Sequence, residues 1–556
     1  MTTQIPQNFV QEIAKERGVT AAELETVFMA LDGQATAAIA TKLGISDIAV
    51  RKRLGEVYKK FQIGGSGPGK LSELRHQLLF LYQTDRESSD FSPTGKGTLS
   101  KVAILSVGVA PVGAGFANGH RQEDWGEAPD VSVFYGRTEE LTTLNQWILS
   151  DKCRLVAVLG LAGSGKTTLS VQFAKQVHNE FDFVIWRSLR SPLPAEDFLT
   201  NLIQVFSNQQ KPHIPADLNS KISRLVEYLR KHRCLLILDD FELVLSAEKL
   251  AGHYREGCEG YRELILRLAG VNHNSCLVLV SSEEPTELAL LAGEKVRSLK
   301  PAVSEEIARE IFQEKGLSAK DQDWKVLLSR YGGNLLAIKI VAVTIHEFFE
   351  GNVFKFLEAT GLFIEEQIGN LLAQQFDRIS SSESEIAYWL AVAQTPVSLA
   401  KLREDMSVKS PLSDLLKNLD SLGRRSLIEK INDGPETVFT LQPLIVKYVA
   451  DRLADRIRDE VLEAIKTQGI ERMRLLKSHN LSAYADRVKA GKANQSLSVL
   501  GLVKNRLQVL FVKTTGYEEP LNILTKVASL LEDKSPLEVG YAEENIASII
   551  SELRSF

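Results

Sequence analysis

Apolar residues follow two different rhythms along this chain, and the change of rhythm divides it. Up to about residue 82 they recur three or four positions apart. Leu24, Val27, Phe28 and Leu31 occupy i, i+3, i+4 and i+7, the stripe of an amphipathic helix. Thr20 and Glu23 precede that stripe at capping-box spacing, which marks a helix start. A short helix from Gln34 to Leu43, a turn at Gly44-Ile45 and a longer helix capped by Ser46 are predicted next. The longer helix would bury Val50, Leu54, Val57 and Phe61, and a fourth would bury Leu71, Leu74, Leu78 and Leu81. From Val131 to about Leu299 the rhythm changes: the apolar runs RLVAVLG, FDFVIW, CLLILDD and CLVLVSS alternate with helical stretches. Short apolar strands separated by helices predict a parallel sheet covered on both faces. Beyond Pro301 the pattern is helical almost throughout, with one short polar hairpin around Asn432–Thr440. The stretch from residue 84 to 130 carries Ser, Gly, Pro and Thr in quantity and reads as a linker.

Composition narrows the class. At 556 residues the chain exceeds what one hydrophobic core supports, so several domains are expected. Its 44% hydrophobic and 25% charged residues are those of an ordinary globular protein. A net charge of -5 confines any nucleic-acid contact to a local patch. The four cysteines (Cys153, Cys234, Cys258 and Cys276) form no CxxC pair, which argues against zinc and a disulfide framework. Cys234 and Cys276 open apolar runs, where a thiol behaves as a small hydrophobe. The polar N-terminus lacks a signal-peptide core, and the apolar stretch from Val102 to Ala117 is too short and too rich in Gly and Pro to span a bilayer. A cytoplasmic protein without membrane contact is expected.

The strongest chemical signal is GLAGSGKTT, from Gly160 to Thr168. It satisfies G-x-x-x-x-G-K-T between a predicted strand and a predicted helix, the setting in which glycine-rich backbone amides and a helix N-terminus cradle phosphates. Gly160, Ala162, Gly163, Ser164, Gly165, Lys166, Thr167 and Thr168 are therefore candidate nucleotide ligands, with ADP or ATP as the cofactor. Lys166 would neutralise phosphate, and the Thr167 hydroxyl would complete a Mg²⁺ shell. CLLILDD supplies the acidic partner: Asp239 would hold the metal, and Asp240 could position or deprotonate an attacking water, which makes it the candidate catalytic residue.

FYGR (Phe134–Arg137), the P-loop, FDFVIWRSL, LILDD, LVLVSSEEP and YGGNLLAIKI follow one another in an order that resembles STAND-class NTPases of the NB-ARC type, with a cyanobacterial-like branch nearest. LLAQQFDRIS, LGRRSLIEK and FTLQPLIVKYV resemble that family's winged-helix region. The resemblance runs from about Asp124 to Asp455. It implies nucleotide contacts at Tyr135, Gly136 and Arg137, a fold closed over ADP at rest, and oligomerisation on exchange for ATP. Three departures stand out. Ser281-Ser282-Glu283 replaces Thr-Ser-Arg, removing an arginine that would sense a γ-phosphate. Leu335 stands where the family has a proline against adenine. Gln442-Pro443 replaces His-Asp. A carboxylate at position 283 near a triphosphate would repel it, so slow turnover at most is expected. Long family members continue into sensor repeats beyond a stretch similar to the last residues of this chain. The activating signal is therefore expected through the helical tail, the linker or another polypeptide.

The stretch AAIATKLGISDIAVRKRLGEVYKKF resembles a LuxR-type helix-turn-helix. That resemblance implies a recognition helix from Ser46 to Phe61 with Ile48, Arg51 and Lys52 toward a DNA groove, and Lys42, Arg53, Lys59 and Lys60 toward phosphates. From Lys42 to Arg75 eight basic residues face three acidic ones (Asp47, Glu56, Glu73), the local patch that the acidic whole requires. A helical adaptor with a solvated basic face remains the alternative. The expected architecture is a multidomain α/β protein: helix-turn-helix 1–83, linker 84–130, αβα P-loop NTPase 131–300, helical lid 301–372, winged helix 373–455 and helical tail 456–556. The expected function is an ATP/ADP switch with transcriptional output on double-stranded DNA, self-oligomerising in the ATP state. A protein partner would supply the signal. An ADP-holding scaffold and a working ATPase are its rivals.

Overall fold

The computed structural model describes residues 7–31, 36–61, 74, 78, 121–207, 214–360, 362–406, 411–433, 436–483, 498–514, 520–532 and 534–554. The chain divides into two compact units, 1–114 and 115–556. In the first, helices α1 (Gln7–Glu16), α2 (Ala21–Leu31), α3 (Thr36–Leu43) and α4 (Asp47–Lys60) enclose Val10, Val27, Val57, Phe61, Leu74 and Leu78, with Ile39 and Val50 in an adjoining cluster. Leu71, Leu81 and the stretch from Val102 to Ala117 lie outside the described residues. The capping box forms as expected: Thr20 N–H donates to Glu23 Oε2 at 2.7 Å and Glu23 N–H to Thr20 Oγ1 at 3.4 Å. Gly44 takes φ +64°, the left-handed turn between α3 and α4, and Ser46 Oγ accepts from Ala49 N–H to cap α4.

The second unit opens on a parallel sheet. Its strands are β1 (Gln122–Asp124), β2 (Leu155–Leu159), β3 (Phe183–Ser188), β4 (Cys234–Asp239), β5 (Cys276–Ser281) and β6 (Val296–Leu299), in the order β1-β3-β4-β5-β2-β6. Alternate side chains of each strand point to opposite faces, and the sequence supplies apolar residues on both. Leu155, Ala157, Leu159, Leu236, Leu238, Leu277 and Leu279 pack on one face. Helices α7 (Ala195–Phe206), α8 (Leu218–Lys231) and α9 (Gly260–Gly270) cover it. Val156, Val158, Leu235, Ile237, Val278 and Val280 pack on the other face, under α5 (Thr138–Asn145) and α6 (Lys166–Val177). The four cysteines are buried free thiols, and Cys234 and Cys276 open β4 and β5 as read from the sequence.

One expectation changes here. The linker stops short of residue 130, because Gln122–Asp124 pairs in register with Phe183–Ile185 as an edge strand. Three polar residues gave no strand signal, since an edge strand is held by backbone hydrogen bonds rather than by side-chain burial.

Short α10 (Thr286–Leu291) leads through β6 into the helical region. Its first half holds α11 (Glu305–Glu314), α12 (Asp321–Tyr331), α13 (Leu335–Phe348), α14 (Val353–Ala359), α15 (Glu366–Phe376) and α16 (Ser381–Ala393). Next come β7 (Val397–Ser398), α17 (Leu399–Asp405), α18 (Leu412–Arg424), β8 (Ile428–Asp433) and β9 (Glu436–Leu441). The 25-residue α19 (Pro443–Thr467) follows, then α20 (Leu475–Ser478), α21 (Val499–Thr514), α22 (Pro520–Ser529), α23 (Pro536–Val539) and α24 (Ala542–Arg554). The hairpin read from the sequence is β8–β9; β7 joins β9 to make a three-stranded antiparallel sheet. The expected boundaries at 372/373 and 455/456 fall inside α15 and α19. Residues from α11 to α24 share one hydrophobic cluster. Among the described residues no helix is long and apolar enough to cross a membrane.

Candidate functional site: a phosphate loop held from three sides

The loop after β2 must turn sharply into α6, and Gly163 and Gly165 adopt φ +82° and +86° to do so. Both also approach the helical region closely. A Cβ on Gly163 would lie 2.7 Å from Asn334 Oδ1, and one on Gly165 would lie 3.0 Å from Leu335 Cδ2. Only glycine satisfies both demands at once.

Three outside elements grip the loop. Arg137, buried and itself at φ +59°, donates from Nη2 to the Ser164 carbonyl at 2.6 Å, with Glu140 pairing its other nitrogen at 3.2 Å. At the N-terminus of α13, Asn334 Nδ2 donates to the Ala162 carbonyl at 2.9 Å, and Leu336 N–H donates to the Gly163 carbonyl at 3.0 Å. From α15, Gln375 Oε1 accepts the Ala162 N–H at 3.2 Å. Leu161 is 3% exposed and belongs to the core of the helical region rather than to that of the sheet.

The charged groups converge as the motif requires. Lys166 Nζ donates to the carbonyls of Gly160 at 2.9 Å and Leu161 at 3.1 Å. Burial pushes its ammonium below the ordinary lysine range, opposed by the nearby carboxylates of Glu242, Asp239 and Asp240. Thr167 Oγ1 donates to Asp239 Oδ1 at 3.1 Å. Burial, then the charge of Asp240, raises the Asp239 carboxyl to about 7. The Ser164 hydroxyl is buried and has no partner among the described residues. An orphan hydroxyl, a desolvated cation and a proton-hungry carboxylate beside a threonine fit a phosphate with a divalent cation, which would satisfy all three at once. Lys166 and Ser164 would hold the phosphate, and Thr167 with Asp239 the metal.

Not every expected residue faces that centre. Asp240 adopts φ +57°, and its Oδ2 accepts from Ser188 Oγ at 3.2 Å and Arg190 Nε at 2.9 Å. Burial, then a hydrogen bond to Glu314, lifts the Tyr135 phenol to about 12, and Lys339 lies 5.0 Å from its ring centroid. Gly136 packs on Ile307 of α11. Leu335 sits against the loop at Gly165, and Gln442 beside Gly333. Thr168 lies in the first turn of α6.

Glu283 corrects the expectation most. It is 1% exposed, and its carboxylate is bound to Arg378 at 2.9 Å, Arg425 at 3.5 Å and the Gly252 N–H at 2.9 Å. Two guanidiniums compensate its charge, so it is not a bare carboxylate facing phosphate. Sequence reading gave these groups no role: Gln375, Arg378 and Arg425 lie in LLAQQFDRIS and LGRRSLIEK without a site assignment, and Glu242 lies outside every motif.

In the first unit Arg51, Lys52 and Lys42 are exposed, and the side chain of Ile48 lies outside the described residues. Three residues assigned to DNA phosphates are engaged elsewhere. Lys60 pairs with Glu23 at 2.6 Å, Lys59 with Glu56 at 2.9 Å, and Arg53 Nη1 reaches the Ala22 carbonyl at 3.4 Å.

Residues 137–252 match the NB-ARC domain family. An uncharacterized WD repeat-containing protein of Nostoc sp. is 40% identical over 78% of this chain and 37% of its own length. The disease resistance protein RPM1 of Arabidopsis thaliana is 37% identical over 16% of this chain and 10% of its own. This chain thus spans well under half the length of either relative. Among solved structures, a Walker-type ATPase of Pyrococcus abyssi covers 57% of this chain and 96% of its own at 15% identity and a TM-score of 0.38. The family match and the parallel sheet with its phosphate loop support an NB-ARC-type P-loop NTPase, a nucleotide-binding fold.

Proposed function

We propose that this chain is an ATP/ADP-dependent conformational switch whose resting form holds ADP with Mg²⁺. The observation that carries the reading is the double use of the phosphate loop. Leu161 is part of the helical region's core, and Ala162 is bonded through its N–H to α15 and through its carbonyl to the N-terminus of α13. A phosphate that reshapes the loop therefore acts on the same residues that seat the helices, which is the differential contact a ligand-driven change needs. Turnover is slow in this reading, because Asp240 is engaged by Arg190 and Ser188 rather than free to orient water. On triphosphate binding the helical region swings away and the chain self-associates, under a signal delivered by another protein.

A second reading adds the output. The α3–turn–α4 arrangement with Arg51 and Lys52 exposed on α4 suits a helix-turn-helix on double-stranded DNA. With Arg53, Lys59 and Lys60 occupied, one copy has few phosphate contacts, so tight binding requires several copies joined through the NTPase region.

One experiment tests both. Light scattering after size-exclusion chromatography, in ADP·Mg²⁺ and in a non-hydrolysable ATP analogue, should give a single-chain mass in the first and a multiple of it in the second. Equal masses would contradict the switch. Labelled duplex fragments at low salt should co-elute only in the second state, and Arg51→Ala should cost about 1–3 kcal/mol of that binding. Absence of co-elution in both states would leave the protein-docking adaptor.

A further inference from the structure

The end of β5 joins the phosphate site to the helical region. In the sheet β5 lies between β2, which feeds the phosphate loop, and β4, which ends at Asp239; Leu159 is in register with Ser281. Glu242, beyond the aspartate pair, reaches across that end. Its Oε2 accepts from Ser281 Oγ at 3.2 Å and from Ser282 N–H at 3.1 Å. Arg378 then closes a ring of contacts. Its Nη2 donates to Glu283 Oε2 at 2.9 Å and to the carbonyl of Glu242 itself at 2.8 Å. One guanidinium from the helical region thus fixes Glu242 through its own backbone and through the segment that holds its side chain.

Glu242 is one of three carboxylates whose charge acts on Lys166. The other two have offsets: Asp239 has Thr167 and a place for a divalent cation, and Asp240 has Arg190. Glu242 has no ion-pair partner among the described residues. Among the described residues its charge is offset through Lys166, the cation that a phosphate would share, and each further phosphate brought there adds charge of the same sign.

We infer that Glu242 makes this arrangement selective for a nucleoside diphosphate over a triphosphate, and that Arg378 is the positioning residue that holds it there. The inference rests on the nucleotide-switch reading and assigns the selectivity that reading requires. It also explains how opening can follow exchange. A third phosphate that displaces Glu242 pulls on Ser281–Glu283, and so on the ion pairs of Glu283 with Arg378 and Arg425.

The test is the ratio of two dissociation constants, for ADP and for the β,γ-imido analogue of ATP. Both are measured by calorimetry on the full chain in Mg²⁺. The wild-type protein should favour ADP. Glu242→Gln should tighten the analogue on the order of tenfold, about 1.4 kcal/mol of relieved like-charge repulsion, and leave ADP nearly unchanged. Arg378→Gln should narrow the ratio in the same direction. Glu242→Ala, which also removes the carboxylate, replaces the glutamine variant if that does not fold and is read the same way. A ratio in Glu242→Gln equal to that of wild type overturns the inference while leaving the switch standing. A wild-type protein that binds neither nucleotide overturns the functional reading and this inference with it.

Discussion

Lys166→Ala protein will bind ADP about a hundredfold more weakly than wild type, a loss of about 3 kcal/mol, and will still fold. The two halves of this result have one cause. The ammonium is buried, and burial has pushed it below the lysine range, so the folded chain holds a cation in a place that disfavours charge. Its contacts with the Gly160 and Leu161 carbonyls offset that only in part, because neutral acceptors stabilise a charge less than anionic ones do. A phosphate supplies an anion as a direct partner, which is why the side chain matters for binding far more than for stability. Calorimetric titration with ADP reads the first half and thermal melting the second. A variant that binds ADP as tightly as wild type would place the nucleotide elsewhere.

Arg425→Ala should destabilise the second unit by about 3–5 kcal/mol, the cost of removing one partner from a buried charge cluster. Arg425 is 3% exposed. It lies 3.5 Å from Glu283 and 3.6 Å from Glu383, and donates to the carbonyls of Arg378 and Lys249, each at 2.6 Å. Truncation strands Glu383, 0% exposed, with only Ser421 Oγ at 2.6 Å and the α16 cap as partners. It also frees the backbone around Lys249, which carries Ala251 and Gly252 toward Ser421 and Glu283. The first transition in scanning calorimetry should fall by several degrees, and proteolysis near residues 249–252 should accelerate. Arg425→Lys keeps the charge but cannot donate to both carbonyls in the same fork, and should lie between the two. An unchanged first transition in Arg425→Ala would show that the cluster does not join the sheet to the helices.

The phosphate loop and its acidic strand were legible because each is local. Strand, glycines, Lys-Thr and helix follow one another without a break from Leu155 to Val177, and five apolar residues lead straight to Asp239. The capping box at Thr20 and Glu23 and the cap at Ser46 are local too, and both formed. What grips the loop was not legible. Gln375 lies 213 residues beyond Ala162 and Asn334 lies 172 beyond it, and a glutamine on a helix carries no mark of what it touches. Glu283 shows the hazard of reading charge without partners. As a departure from a motif it looked like a carboxylate aimed at phosphate, and only the fold reveals Arg378, 95 residues on, against it. Lys60 is a second case: Glu23, which caps α2, also pairs with it at 2.6 Å. The boundaries expected at 372/373 and 455/456 fall inside α15 and α19. They came from the resemblance to a winged-helix region, and one hydrophobic cluster runs on through both helices.

The account stands or falls on whether the phosphate loop holds an adenine nucleotide, and the most direct measurement is of what the purified full-length chain carries. Denaturing the protein and analysing the released small molecules by mass spectrometry should find ADP at close to one molecule per chain. No nucleotide in that extract, together with no calorimetric binding of added ADP or ATP, would contradict the switch.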